Sequence, residues 1–350
     1  MIQTPHITVV LPVRNGARWL GEAVASVAAQ TRPDWELLAI DDGSADDTPR
    51  ILGEWTKRDG RIRVIRQEAL GLVAALNRGL AEARASLVAR LDADDRALAE
   101  RLERQASHLD QHPDIGLLGS WAYKIDERGA RRGELQPATE PAKLSAILLE
   151  RNPFVHSSVM FRTELARRLN GFRPAFRAAE DYDLWLRIAE VAAVANLPEP
   201  LIEYRWHSEN VTHRNAIRQA FSVRLAQRAA QLRRQSGRDP ADGLTAPPDW
   251  RADTTATFCA REAELYRLLE FADPQADASG ELDFSLLAAR FDELNHAERA
   301  LAAHAMINHM RRAGRVQAHR TRRIFLRLLL QKPGMVPKAA WPLLPVALLR

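Results

Sequence analysis

The sequence predicts an α/β protein: a Rossmann-like, mostly parallel sheet flanked by helices, followed by an α-helical C-terminal region. Three observations lead there. Through the first half of the 350 residues, short β-rich runs alternate with stretches of helical period. The runs are continuously apolar, as in parallel strands covered by helices on both faces. After about residue 215 strand signals cease and apolar residues recur at helical spacing alone. With 46% hydrophobic and 27% charged residues, the chain is globular and is neither disordered, collagenous nor disulfide-rich.

Residues 7–11 (ITVVL) read as the first strand, stopped by Pro12. Residues 17–30 place Trp19, Leu20, Ala23, Val24, Val27 and Ala28 on one helical face. The second strand, 36–40, runs into Asp41-Asp42-Gly43-Ser44, where Ser44 can cap a helix with Asp46 and Asp47 in its first turn. A third strand at 61–65, an Ala/Leu helix at 72–84 and a fourth strand at 86–91 follow. That strand ends in Asp92-Ala93-Asp94-Asp95, before a helix at 98–111. Beyond residue 115 the alternation loosens: strand 115–125, polar turn 129–133, helix 141–151 and strand 155–161. A helix at 180–191 opens on Glu180-Asp181-Tyr182-Asp183, and a late strand at 201–206 leads into His207. From Asn215 onward Ile217, Phe221, Leu225, Ala229 and Leu232 keep a helical period.

These elements suggest a first domain at 1–213, a helical region at 214–313 with a Gly/Pro-rich linker at 237–248, and a basic apolar tail at 314–350. Charge follows the same division. After Glu298 there is no acidic residue and there are 11 basic ones, which leaves the first 298 residues with 39 basic against 45 acidic side chains. One cysteine, Cys259, excludes an intrachain disulfide and a Cys-based zinc site. The short apolar run near the start is no secretory leader, and no uncharged apolar run reaches the roughly 18 residues of a spanning helix. A cytoplasmic protein is expected.

The acids at 41–42 and 92–95 both follow apolar strands directly. Ligands of open α/β sheets bind at the carboxyl ends of the strands, so the two clusters are expected at one mouth. The plainer alternative is two solvated turns, since Asp and Gly favour turns.

Residues 7–16 (ITVVLPVRNG), 30–48 (QTRPDWELLAIDDGSADDT), 90–95 (RLDADD) and 179–187 (AEDYDLWLR) together resemble the inverting family-2 glycosyltransferases with a GT-A fold, over about residues 5–213. The resemblance implies a nucleotide-sugar donor and a divalent cation, Mn²⁺ or Mg²⁺. Departing diphosphate accumulates negative charge that a cation neutralises, and hard cations want carboxylate oxygens while keeping water and phosphate ligands. By resemblance, Asp94 and Asp95 hold the metal with His207, and Asp92 lies towards the ribose. Asp41 and Asp42 recognise the nucleoside, a uridine by the hydrogen bond a carboxylate accepts from uracil. Pro12, Val13, Arg14 and Asn15 wall the base; Arg14 stands where relatives carry a stacking aromatic, and a guanidinium plane also stacks.

Inversion needs a general base on the acceptor hydroxyl. The resemblance assigns it to Asp181, at a helix N-terminus that favours an ionised carboxylate, with Asp183 as a decoy. His156, Glu180 and Gly171 belong to the acceptor side. The acceptor implied is a glycan or lipid-linked sugar, in surface-polysaccharide assembly. Residues 311–350 combine arginines with leucines and Trp341, which suits an anionic membrane surface on its inner face or a helix packed on the body. No nucleic-acid partner is expected. Two competing readings are an inactive sugar-nucleotide-binding scaffold and a sugar nucleotidyltransferase; the latter usually carries a Gly-rich loop, and Val13-Arg14-Asn15-Gly16 is poor in glycine.

Overall fold

The computed structural model describes residues 4–207, 216–249, 258–270, 284–294, 296–312 and 315–331. The chain divides into two compact units, Met1–Arg214 with Ala230–Pro247, and Asn215–Ala229 with Pro248–Arg350. In the first unit the strands are β1 (Ile7–Val13), β2 (Trp35–Asp42), β3 (Ile62–Gln67), β4 (Leu87–Arg90), β5 (Arg96–Ala97), β6 (Ile115–Ile125), β7 (Arg131–Leu135), β8 (Met160–Arg162) and β9 (Ala193–Arg205). Its helices are α1 (Ala17–Ala28), α2 (Thr48–Arg58), α3 (Leu72–Glu82), α4 (Arg101–Gln111), α5 (Pro141–Glu150), α6 (Thr163–Arg168) and α7 (Glu180–Ala189). α8 (Ala216–Ser236) lends residues 216–229 to the second unit, which also holds α9 (Ala260–Leu269), α10 (Ser285–Ala289), α11 (His296–Arg312) and α12 (Arg315–Gln331).

The nine strands form one sheet in the order β3-β2-β1-β4-β8-β6-β9-β5, with β7 on β6. β3, β2, β1 and β4 are mutually parallel; beyond β4 the sheet is mixed. Every residue of β1 and β2 is buried, which explains their unbroken apolar runs. α1 lays Trp19, Leu20, Ala23, Val24 and Val27 on this core, as its period predicts. Each such Leu or Val, fully buried, stabilises the fold by roughly 1.5–3 kcal/mol.

Local chemistry moves several boundaries. β1 continues through Pro12 to Val13, because its pairing with β4 ends at Val10 and the missing proline N–H removes no bond on that side. Ser44 does not cap a helix: α2 begins at Thr48, and the Ser44 hydroxyl accepts from the Asn15 amide at 2.9 Å. The helix expected from 98 starts at Arg101, after β5 pairs with β9. The turn expected at 129–133 lies earlier, where the Asp126 carboxylate accepts from the amides of Arg128 and Ala130 and Gly129 takes φ +82, so β7 already begins at Arg131. The strand expected over 155–161 opens with a 3₁₀ turn, His156–Ser158, because the Ser158 hydroxyl donates to the Val155 carbonyl and pulls the backbone out of the ladder. Residues 237–247, linker-like in composition, are bound into the first unit, where Asp239 pairs with Arg173 at 2.7 Å and Arg233 at 3.3 Å.

In the second unit Glu298 is buried and accepts from Arg224 Nε at 2.7 Å and the Tyr266 hydroxyl at 2.5 Å. Cys259 is buried just before α9. α12 carries the first part of the basic tail and buries Thr321, Phe325 and Leu328. The rest of the tail, 332–350, lies outside the described residues. Among the described residues no helix is long and apolar enough to cross a membrane.

Candidate active site

The parallel register Val13↔Asp41 and Val10↔Arg90 brings the carboxyl ends of β1, β2 and β4 to one edge. There two loops are joined by side-chain bonds. Asn15, at φ +52, accepts from the Ala45 amide through Oδ1 at 2.8 Å, while the Gly16 amide donates to Thr48 Oγ1 and that of Ala17 to Asp46 Oδ2, both at 3.0 Å. A Cβ on Gly16 would lie 2.6 Å from Val13 Cγ2, so glycine is what the close turn after β1 accommodates, with Ala93 of the 92–95 turn in ordinary contact at 3.5 Å. Arg14 is exposed beside it and Pro12 is buried under it.

Asp41 and Asp42 divide their work. Asp41 accepts from the Ser44 amide at 2.9 Å, and its Oδ2 faces Arg66 Nε at 3.6 Å. Asp42 accepts from Gln67 Nε2 and the Leu70 amide on Oδ1, and from the Gly71 amide on Oδ2. Asp42 thus clamps the loop after β3, whose Leu70 is 65% exposed.

The 92–95 turn gathers most of the site. Arg90 Nη2 donates to Asp92 Oδ1. The Ser157 hydroxyl donates to Asp92 Oδ2 at 2.9 Å, and His156 Nδ1 lies 3.9 Å from that oxygen. Burial pushes the Asp92 carboxyl up, but Arg90, His156 and the Ser157 bond outweigh it and hold the group below the ordinary carboxylate range. Asp94 Oδ2 meets His207 Nε2 at 2.8 Å, and Trp19 backs the imidazole with ring centroids 4.5 Å apart. Burial and the neighbouring Asp92 raise Asp94 despite His207. Asp95 is raised further, by burial and then by Asp94 and Asp92. Its Oδ1 accepts from the Arg205 amide at 2.7 Å, and its buried Oδ2 has no hydrogen-bond partner among the described residues. Arg205, fully buried, donates to the carbonyls of Asp94, Asp126 and Glu127 and to Glu22.

On the facing side, α7 presents Asp181, whose Oδ2 accepts from Asn152 Nδ2 at 3.0 Å. Glu180 points inward; its carboxyl takes hydrogen bonds from backbone groups of Ala178 and its own residue, and burial followed by Asp181 raises it to about 7. Asp183 is fully buried between Arg173 and Arg187. Gly171, at φ +60, packs on Asn77 of α3, which bonds both the amide and the carbonyl of Phe172.

The structure brings Asp92, Asp94, Asp95, His156, His207 and Asp181 together: His156 feels the charges of both Asp92 and Asp181, with burial and Arg90 holding it low. Glu180, buried and next to Asp181, feels that carboxylate and Arg90 while its own carboxyl is held by backbone groups, and Gly171 packs on Asn77. Arg90, Asn152, Arg205, Trp19 and Asn77 emerge only here; an arginine ending an apolar strand was the one visible signal among them. Two raised carboxylates and an orphaned buried carboxylate oxygen beside an imidazole form a donor set that suits a hard cation. Among the described residues no group of three or more His, Cys, Asp or Glu side chains is placed to hold a metal ion by itself. A cation that keeps phosphate and water ligands needs none.

Comparison with known proteins places these features in context. The family described as Glycosyl transferase family 2 matches residues 8–170. The putative glycosyltransferase EpsE of Bacillus subtilis is 33% identical over 217 residues, 60% of this chain and 77% of that protein. The O-antigen biosynthesis glycosyltransferase WbnJ of Escherichia coli is 31% identical over 215 residues, covering 60% and 83%. Among solved structures, S. aureus TarS 1–349 in complex with UDP-GlcNAc superposes with a TM-score of 0.59 at 16% identity, over 93% of this chain and 91% of that one. The mannosyltransferase PcManGT of Pyrobaculum calidifontis, with GDP-Man and Mn²⁺, gives 0.52 at 20% identity, over 94% and 81%. These two likenesses establish the GT-A fold.

Proposed function

The chain belongs to glycosyl transferase family 2 and is an inverting glycosyltransferase, and from that premise we propose its donor, its acceptor and the work of each residue. The donor is a UDP-sugar bound with Mn²⁺ or Mg²⁺, and the acceptor a glycan or lipid-linked sugar in surface-polysaccharide biosynthesis. UDP-GlcNAc on TarS, GDP-Man and Mn²⁺ on PcManGT and the O-antigen role in the name of WbnJ support this reading. The observation that carries it is the meeting of the 92–95 turn and Asp181 around His156.

Asp94, Asp95 and His207 would hold the cation, which when bound would supply charge neutralisation to the departing diphosphate. Asp92, kept ionised by Arg90, accepts from the ribose. Asp41 and the loop clamped by Asp42 flank the nucleoside with residues 12–15. Asn152 aims the Asp181 carboxylate, which takes the proton of the acceptor hydroxyl as that oxygen attacks the anomeric carbon opposite the diphosphate. The arginine-rich face of α12, with the chain beyond it, docks on the anionic inner face of the membrane, where a lipid-linked acceptor resides.

The test is transfer from a panel of nucleotide sugars, with and without Mn²⁺. We expect a metal-dependent UDP-sugar activity that Asp181→Asn lowers by about 10²–10⁴-fold while UDP binding stays within twofold of the parent chain. Undiminished transfer in that variant overturns the assignment of the base.

A further inference from the structure

Arg90 ends β4 with 1% of its surface exposed. Only Nη2 of its guanidinium has a hydrogen-bond partner among the described residues, Asp92; Nε and Nη1 are buried without one. Below it Arg101, fully buried, donates to the Arg90 carbonyl at 2.8 Å and keeps an unpartnered Nη1 of its own. Beside Arg90 lies a small apolar cleft of about 10 Å³, lined by Val10, Leu76, Leu80, Val88, Phe161 and Phe172. A second cation, unmet N–H groups and apolar walls all disfavour a charge here, and a methionine of similar volume would fill the place without those penalties. What the charge does serve is electrostatic: its Nη2 donates to Asp92 Oδ1, while the Ser157 hydroxyl donates to the other oxygen of the same carboxylate.

We propose that Arg90 is a positioning residue of the donor site, a buried cation that holds Asp92 in the orientation in which it receives the donor. This rests on the donor reading above. Asp92, Asp94 and Asp95 crowd one turn, and of the three only Asp92 accepts from a buried guanidinium at the end of β4. Without a cation behind it, Asp92 would turn from its neighbours and from the ribose it serves. A role in packing alone predicts that loss of Arg90 weakens binding whether or not Asp92 is charged; the proposal predicts that the effect needs Asp92.

The experiment is a double-mutant cycle read by calorimetric binding of UDP in the presence of Mn²⁺, with GDP as a second probe. In the otherwise unchanged chain, Arg90→Gln should weaken UDP binding about tenfold and Arg90→Lys by less than about threefold. In an Asp92→Asn background both changes should fall within twofold of Asp92→Asn alone. An equal loss in both backgrounds, or no loss in either, overturns the proposal. Should Arg90→Gln not fold, Arg90→Lys decides: a loss above tenfold, with the charge retained, also overturns it. If the parent chain binds neither UDP nor GDP with Mn²⁺, the donor reading falls and takes this proposal with it, an outcome distinct from normal binding with an additive cycle.

Discussion

Two aspartates two positions apart on α7 have opposite surroundings. Asp181 is partly open and holds one amide, whereas Asp183 is closed between two guanidinium groups. Removing one partner of a buried ion pair leaves charge uncompensated, at a cost of about 3–5 kcal/mol. Asp183→Asn should therefore lower the urea stability of the first unit by that order, while Asp181→Asn should change it by less than about 1 kcal/mol. Glu180 adds a pH signature. Its carboxyl is raised by burial and by Asp181 from 4.5 to about 7, so the folded state holds the proton more tightly than the unfolded one. The stability contribution of this group is then intact below its ordinary pKa and is lost as pH rises through about 7. Thermal melts of the chain and of Glu180→Gln from pH 4.5 to 8 should diverge in that window, with the glutamine variant gaining relative stability as pH rises; parallel curves would contradict the burial argument.

At the scale of elements, two short connections set the geometry. Ala178 holds φ +72 two residues before α7 opens at Glu180, in a region that costs a side chain roughly 1–2 kcal/mol. Ala178→Gly should relieve it and raise the melting temperature by a few degrees. Gly43, at φ +71, leaves a Cβ only 2.8 Å from the Ala69 amide. Gly43→Ala should destabilise the fold and loosen the loop that Asp42 clamps, read as faster amide exchange at Leu70 and Gly71. Strand and helix identities were legible because unbroken apolar runs and the 3.6 period survive in the sequence, and the acid clusters because each closes a buried apolar run. Their sorting was not. Nothing local separates Asp42, which bonds residues 67–71, from Asp41, or tells that Glu180 turns inward beneath Ala178. Likewise Ser44 looks like a cap and instead joins two loops, because its partner, Asn15, lies 29 residues away.

For the whole molecule, charge is the distinguishing property. The excess of acid over the first 298 residues and the 11 basic residues after them are far apart in sequence. On α12 the exposed Arg320, Arg323 and Arg327 alternate with buried Thr321, Phe325 and Leu328, so this helix is anchored by one face and leaves the other to solvent. Each arginine near an anionic surface is worth about 1 kcal/mol. Replacing all three with glutamine should weaken co-sedimentation with phosphatidylglycerol vesicles at low salt by about a hundredfold. Unchanged sedimentation would remove these residues from membrane contact.

The burial of the lone thiol, Cys259, also has a practical side. Maleimide dyes will pass over it, so one introduced cysteine can be labelled uniquely without first deleting the native one. Leu70, solvent-facing on the clamped loop, is the natural place for such a fluorophore. Emission from it would follow nucleotide arrival in real time, in the absence of any acceptor.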